Sequence, residues 1–190
     1  MSNTSSQFRV SAFALQSRSV VWQVGAVLLG TLFLSLSSYV EVPMVPVPMT
    51  MQTLAVTLVG AVYGWRLGTA TIIAWLIEGA IGFPVLAGGS AGLQNFVGPT
   101  AGYLFAFPVA GAFVGWLAER GWTGNRTILA LTAMLAGNII CLISGAAWLS
   151  RMVGWERAIA LGVLPFLLGG VVKSALGAAT LRALARKPAA

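Results

Sequence analysis

GFPVLAGGSAGLQNFVGPTAGY, residues 82–103, carries no charged side chain. Its density of Gly, with Pro84 and Pro99 added, argues against one regular helix. It is also too apolar for a solvated loop, because Phe83, Val85, Leu86, Leu93, Phe96 and Val97 would not be left in water without a reason. Strongly apolar segments flank it on both sides. Irregular, uncharged backbone at membrane depth is tolerated where it is buried in protein or lines a cavity. Two readings stand: the stretch lines a ligand cavity, or it is a re-entrant connector that only packs.

Composition supports the membrane setting. Of the 190 residues, 58% are hydrophobic and 8% charged, against about 25% charged in a soluble domain. The chain reads as an all-α integral membrane protein, a single domain over residues 1–190. At roughly 20 residues per span, its length allows about six transmembrane helices and no soluble domain. The net charge of +7 is explained by cytoplasmic loops that follow the positive-inside bias. The basic residues are scattered, which speaks against a nucleic-acid partner. With Cys141 the one cysteine and no His, an internal disulfide, a His/Cys metal cluster and a Ser-His-Asp triad are excluded.

In chain order, residues 1–18 form a polar cytoplasmic segment with Arg9 and Arg18, and residues 19–181 the bundle. The apolar run over 19–40 is too long for a signal-peptide core and reads as a retained first helix. The Ser35, Ser37, Ser38 cluster leaves a cleavage site as the alternative. Ala26 and Gly30 are four apart, a spacing that admits another helix closely and suggests a partner protein. Pro43, Pro46 and Pro48 then impose extended backbone, either a lid over a cavity or a rigid spacer. Helices are expected over 51–63, 69–81, 100–118, 127–149 and 158–181. A tight turn falls at 64–68, Gly111 and Gly115 form a packing pair, and Pro165 and Gly169-Gly170 interrupt the last helix. A basic tail spans 182–190. No internal repeat is visible.

With both termini cytoplasmic, Arg9, Arg18, Arg66, Arg120, Arg126, Arg182, Arg186 and Lys187 lie inside and only Arg151 and Arg157 outside. The Pro-rich connector and the Gly-rich stretch then share the outer side, where they would enclose one site.

Lys173 is the sharpest functional signal. A charge within a span costs at least ~2.5–3.5 kcal/mol on insertion scales and needs a partner or water. It would bind an anionic or strongly polar ligand group, snorkel to the interface, or pair with Glu78. Asn138 is a mid-membrane amide suited to a ligand with adjacent N–H and C=O groups, or to an interhelical hydrogen bond worth ~0.6 kcal/mol. Gln52 and Glu78, near the outer mouth, have the same two readings. Thr100 would cap the helix that Tyr103 opens, and free N–H groups there would meet a ligand acceptor. Trp148 is the tryptophan placed to touch a site; the others read as interface anchors. Gly169-Gly-Val-Val-Lys173-Ser174 fails as a phosphate loop, since Val172 stands where the motif needs Gly. Another subunit must therefore supply energy for any uphill transport.

Three runs carry a resemblance: Pro46-Val-Pro-Met-Thr-Met-Gln-Thr-Leu-Ala55, Gly79-Ala-Ile-Gly-Phe-Pro-Val-Leu-Ala-Gly-Gly89 and Gly98-Pro-Thr-Ala-Gly-Tyr-Leu104. Together they resemble the biotin-specific substrate-binding subunits of energy-coupling-factor transporters, over roughly residues 42–183. The resemblance implies a six-helix bundle in the bacterial cytoplasmic membrane, an outer pocket, and a first connector that closes over biotin. It also implies a transmembrane coupling subunit and two ATP-binding subunits as partners, with no cofactor and no enzymatic activity. Lys173, Asn138, Tyr103, Thr100, Gln52, Glu78 and Phe83 are the ligand-binding candidates, and Ala26 and Gly30 the contact for the coupling subunit. The family pattern expects Asp where this chain has Gly170, so Glu78, Gln52 or Asn138 would replace that carboxylate. A subunit for another vitamin, a membrane enzyme and a channel are the competing readings. Lys173 with Glu78 is a thin set for an enzyme, and the polar residues gather at one side rather than along a path.

Overall fold

The computed structural model describes residues 19–186. The polar segment with Arg9 and Arg18, and Lys187 of the tail, lie outside the described residues. Helix α1 (Val20–Tyr39) runs into a two-stranded antiparallel pair, β1 (Glu41–Val42) and β2 (Met49–Thr50), with Glu41 opposite Thr50. Then follow α2 (Gln52–Ala80), two short 3-10 turns at Ala87–Gly89 and Leu93–Phe96, α3 (Ala101–Glu119), α4 (Thr127–Val153), α5 (Trp155–Gly162) and α6 (Leu164–Arg186). Five helical stretches among the described residues are long and apolar enough to cross a membrane.

α2 is not one straight rod. Gly64 has φ 78° and ψ 174°, a left-handed conformation that suits glycine. The chain doubles back there: Tyr63 and Thr71 both lie against Gly30, and Val56 and Ile72 both lie against Gly111. The expected turn over 64–68 therefore shrinks to one residue, and 65–68 are already helical. The two arms cross closely, since a Cβ on Gly68 would stand 3.0 Å from the Gly60 Cα. Gly111 and Gly115 pack as expected: Gly60 meets the Gly111 backbone, and a Cβ on Gly115 would stand 2.6 Å from the Trp65 nitrogen. Lipid is as apolar as a leucine side chain, so close backbone packing of this kind, not water exclusion, holds such helices together.

The face of α1 expected to meet a coupling partner is taken by this chain itself. Tyr63 Oη donates to the Ala26 carbonyl at 2.8 Å, and a Cβ on Gly30 would fall 2.5 Å from Thr71 Cγ2. Small residues admit any helix, and α2 is the one that fills this groove.

The last helix also differs from expectation. It begins at α5, after Gly154 turns the chain at φ 82°, and breaks at Val163. Pro165 stands in the first turn of α6, where its missing N–H has no intrahelical acceptor to lose. Gly169 and Gly170 continue the helix without a break.

The stretch after α2 is irregular but anchored. The Val85 carbonyl accepts from Ser38 Oγ at 2.7 Å and from Trp75 Nε1 at 3.0 Å. Tyr39 Oη donates to the Pro84 carbonyl, and the Gly92 N–H donates to the Gly79 carbonyl at 2.7 Å. Leu86 is buried against Gly79, whereas Phe83, Leu93 and Val97 are exposed. Val47, from the Pro-rich connector, is buried in the same core as Leu34, Trp75, Phe107, Leu149 and Phe166. The connector thus folds down onto the bundle. A second core of Leu54, Leu58, Val114, Met134 and Leu181 fills the other end.

Candidate functional site

The connector covers a cavity of about 180 Å³, far above the ~15 Å³ a single water needs. The start of α2, the irregular stretch and helices α3, α4 and α6 supply its walls. Val47, Pro48, Leu86, Leu104, Phe107, Leu142 and Phe166 make most of the lining apolar. That is the usual recipe for a small-molecule site, in which a few polar groups set orientation.

Among the described residues, Lys173 is the sole charged side chain lining it. It is buried in α6 and donates from Nζ to the Thr50 carbonyl at 2.9 Å. That contact ties α6 to β2, the second strand of the connector. One carbonyl takes one of three ammonium N–H donors, and no carboxylate among the described residues lines the cavity. An unneutralised buried cation is costly unless a ligand group of opposite character meets it.

Gln52 opens α2 and is 5% exposed. Thr50 Oγ1 donates to its Oε1 at 2.9 Å, which turns Nε2 the other way. Nε2 is buried without a partner, as is Thr53 Oγ1. A stranded donor of this sort costs about 1–3 kcal/mol, which a ligand acceptor would relieve. Asn138 reaches the cavity from α4, with Nδ2 donating to the Met134 carbonyl at 3.1 Å and to Ser174 Oγ at 3.0 Å.

Tyr103 and Thr100 line the cavity as well. The Tyr103 hydroxyl donates to the Gly162 carbonyl at 2.6 Å, so the residue offers its ring, beside Phe166 at 6.2 Å between centroids. Thr100 precedes α3 but makes no side-chain cap; its hydroxyl leans on the Asn95 carbonyl at 3.4 Å. Two expected residues are elsewhere. Phe83 follows the turn at Gly82 (φ 110°) and is 56% exposed. Glu78 lies near the end of α2, half-buried and outside the lining, and Lys173 turns to Thr50 instead. Trp148 braces the rim from outside, donating from Nε1 to the Gly98 carbonyl at 3.0 Å.

Sequence reasoning missed Thr53, Ser90 and Asn95, all of which line the cavity. Asn95 and Ser90 were visible as polar side chains in an otherwise apolar stretch, and Thr53 as the neighbour of Gln52.

A helical bundle with membrane-length apolar helices, enclosing a mostly apolar cavity that holds one unneutralised cation, defines a membrane protein built to hold a small molecule. The sequence places it more closely: residues 6–189 match the BioY family, and the chain belongs to it. It is 40% identical over 153 residues to the probable biotin transporter BioY of Pyrococcus horikoshii, covering 80% of this chain and 90% of that one. It is 34% identical over 170 residues to the biotin transporter BioY2 of Lactococcus lactis subsp. cremoris, covering 86% and 92%. Among solved structures it is similar to the S-component for biotin from an ECF-type ABC transporter, with a TM-score of 0.80 and 25% identity over 88% of this chain and 93% of that one.

Proposed function

We propose that this chain is the substrate-specific subunit for biotin uptake, a transport component and not an enzyme, working with a membrane coupling subunit and separate ATP-binding subunits. Its family and its similarity to biotin transporters support the substrate. One observation carries the site: Lys173 is buried in a mostly apolar cavity that no carboxylate among the described residues lines. Biotin brings an apolar bicycle, a ureido carbonyl and a carboxylate, which match such a lining. Lys173 and Gln52 Nε2 meet the ligand's acceptors. Asn138 contributes its amide, Thr100 and Tyr103 the wall under the connector. Glu78 and Phe83 stand outside that lining, and the reading gives them no contact with the ligand.

Counting the arms of α2 on either side of Gly64 separately, and α5 with α6 as one, gives six segments. We read these as six membrane segments with both termini cytoplasmic, so that the cavity opens outward beneath the connector. The second core fills the opposite end with side chains, which supports a closed binding site over a continuous channel. Equilibrium binding of labelled biotin to the purified chain in detergent, with no other subunit, tests the reading. Saturable one-to-one binding that other vitamins do not displace is expected. No binding by folded protein overturns it.

A further inference from the structure

Ser174 is 1% exposed and stands behind the cavity wall, outside its lining. Its hydroxyl donates to the Gly170 carbonyl at 2.7 Å, one turn back in α6. Its single proton is thereby used, and toward Asn138 it presents only lone pairs. Asn138 meets it with Nδ2 at 3.0 Å, and the same nitrogen faces the Met134 carbonyl at 3.1 Å. A backbone carbonyl can only accept, so both neighbours demand the N–H₂ edge of the amide, and its flip is fixed by the network. The carbonyl edge is turned the other way. Oδ1 receives no hydrogen bond among the described residues, on a side chain that lines the cavity. At Gly170 of α6 a Cβ would stay 3.9 Å from Oδ1. Glycine there contributes no group that competes for Oδ1.

We infer that Ser174 is a positioning residue: it holds the Asn138 amide so that Oδ1 accepts a ligand N–H, and it thereby selects ligands that carry a urea-type N–H edge. This rests on the biotin reading above. The chemistry of the ligand makes the role specific. The carboxylate, ureido carbonyl and thioether of biotin are all acceptors, and its ureido nitrogens carry its only donors. Lys173 and Gln52 Nε2 are donors and suit the acceptors. A fixed acceptor in the same wall is of use only to the N–H edge, and a site built to hydrogen-bond one group discriminates against analogues that lack it.

The test compares biotin with its two mono-N-methylated ureido analogues, using purified full-length protein in detergent. The wild type is expected to disfavour at least one analogue by roughly tenfold or more, and Asn138→Ala is expected to narrow that ratio. Ser174→Ala is expected to raise the Kd for biotin roughly three- to tenfold, the worth of one net hydrogen bond, and to narrow the same ratio although its side chain never reaches the cavity. In the double variant, Ser174→Ala should add nothing to Asn138→Ala, because one acts through the other. Ser174→Cys keeps the volume with a weaker acceptor and serves the same comparison should the alanine variant fail to fold. Unchanged discrimination in both Ser174 variants, or additive losses in the double variant, overturns the inference alone. Failure of the wild type to bind biotin overturns the biotin reading and this inference with it.

Discussion

Two regions of the bundle bury residues that are unusual for a membrane interior, and they do opposite things with them. At the seam between α2 and α3, Gly60, Gly111 and Gly115 bring backbones into contact and leave no room for even a methyl group. Beneath the connector, Lys173, Gln52 and Asn138 surround an open space and retain hydrogen-bonding capacity that the protein does not use. Glycine at the seam is spent on packing, whereas polarity at the cavity is held in reserve. The difference teaches that a buried oddity is read by whether its neighbours complete it. The Ala26/Gly30 pair belongs with the seam, since α2 completes it.

The strongest way to break this contrast is to put a side chain into the seam. Gly60→Leu drives its Cβ onto the Gly111 carbonyl; the expected cost is roughly 3 kcal/mol or more, the upper end of overpacking. In thermal unfolding of the ligand-free protein this appears as a fall on the order of 10 °C. An unchanged unfolding temperature would remove the seam from the argument. At the cavity the signs should separate. Lys173→Met is expected to raise the Kd for biotin at least ~tenfold, about 1.4 kcal/mol, while the ligand-free protein becomes no less stable because an unneutralised buried charge has gone. Binding isotherms and unfolding curves on the same preparation check both halves, and equal affinity in a folded variant sinks the assignment. Gln52→Met should do the same more weakly, with a Kd about three- to tenfold higher and little net change in ligand-free stability, since the stranded donor goes together with the hydrogen bond from Thr50 Oγ1. Gly170→Asp is expected to fold and still bind, because a Cβ there meets only Asn138 at 3.9–4.0 Å; failure to fold would show that the helix needs glycine for close packing. The smallest effect is reserved for Glu78→Gln, whose affinity should stay within ~0.5 kcal/mol of wild type. A larger loss would bring Glu78 back to the site from which its position excludes it.

Much of the cavity was legible because polar groups inside apolar runs are conspicuous. Lys173, Asn138 and Gln52 stood out by cost alone, and all three reach the lining. The irregular packed stretch after α2 was legible from its glycines and its lack of charge. Direction was not legible. Nothing in the order Gly82-Phe83 says that the phenyl ring turns outward, and the position of Glu78 near a mouth does not say which way its carboxylate leans. The reversal at Gly64 was placed but drawn too long, because Trp65, Arg66 and Leu67 are tolerable in a turn and equally able to begin a helix once one glycine has changed direction. The Ala26/Gly30 spacing announced a close neighbour without saying whose helix it would be.

The moorings of the stretch after α2 have a thermodynamic consequence. Ser38, Tyr39 and Trp75 hold its first carbonyls, and Gly79 holds Gly92. Fixing backbone costs about 1–2 kcal/mol of conformational entropy per residue, and for this segment that loss is already incurred when the protein folds. A ligand therefore enters a site with one wall already ordered. More of its contact energy remains as affinity, as in any preorganised receptor.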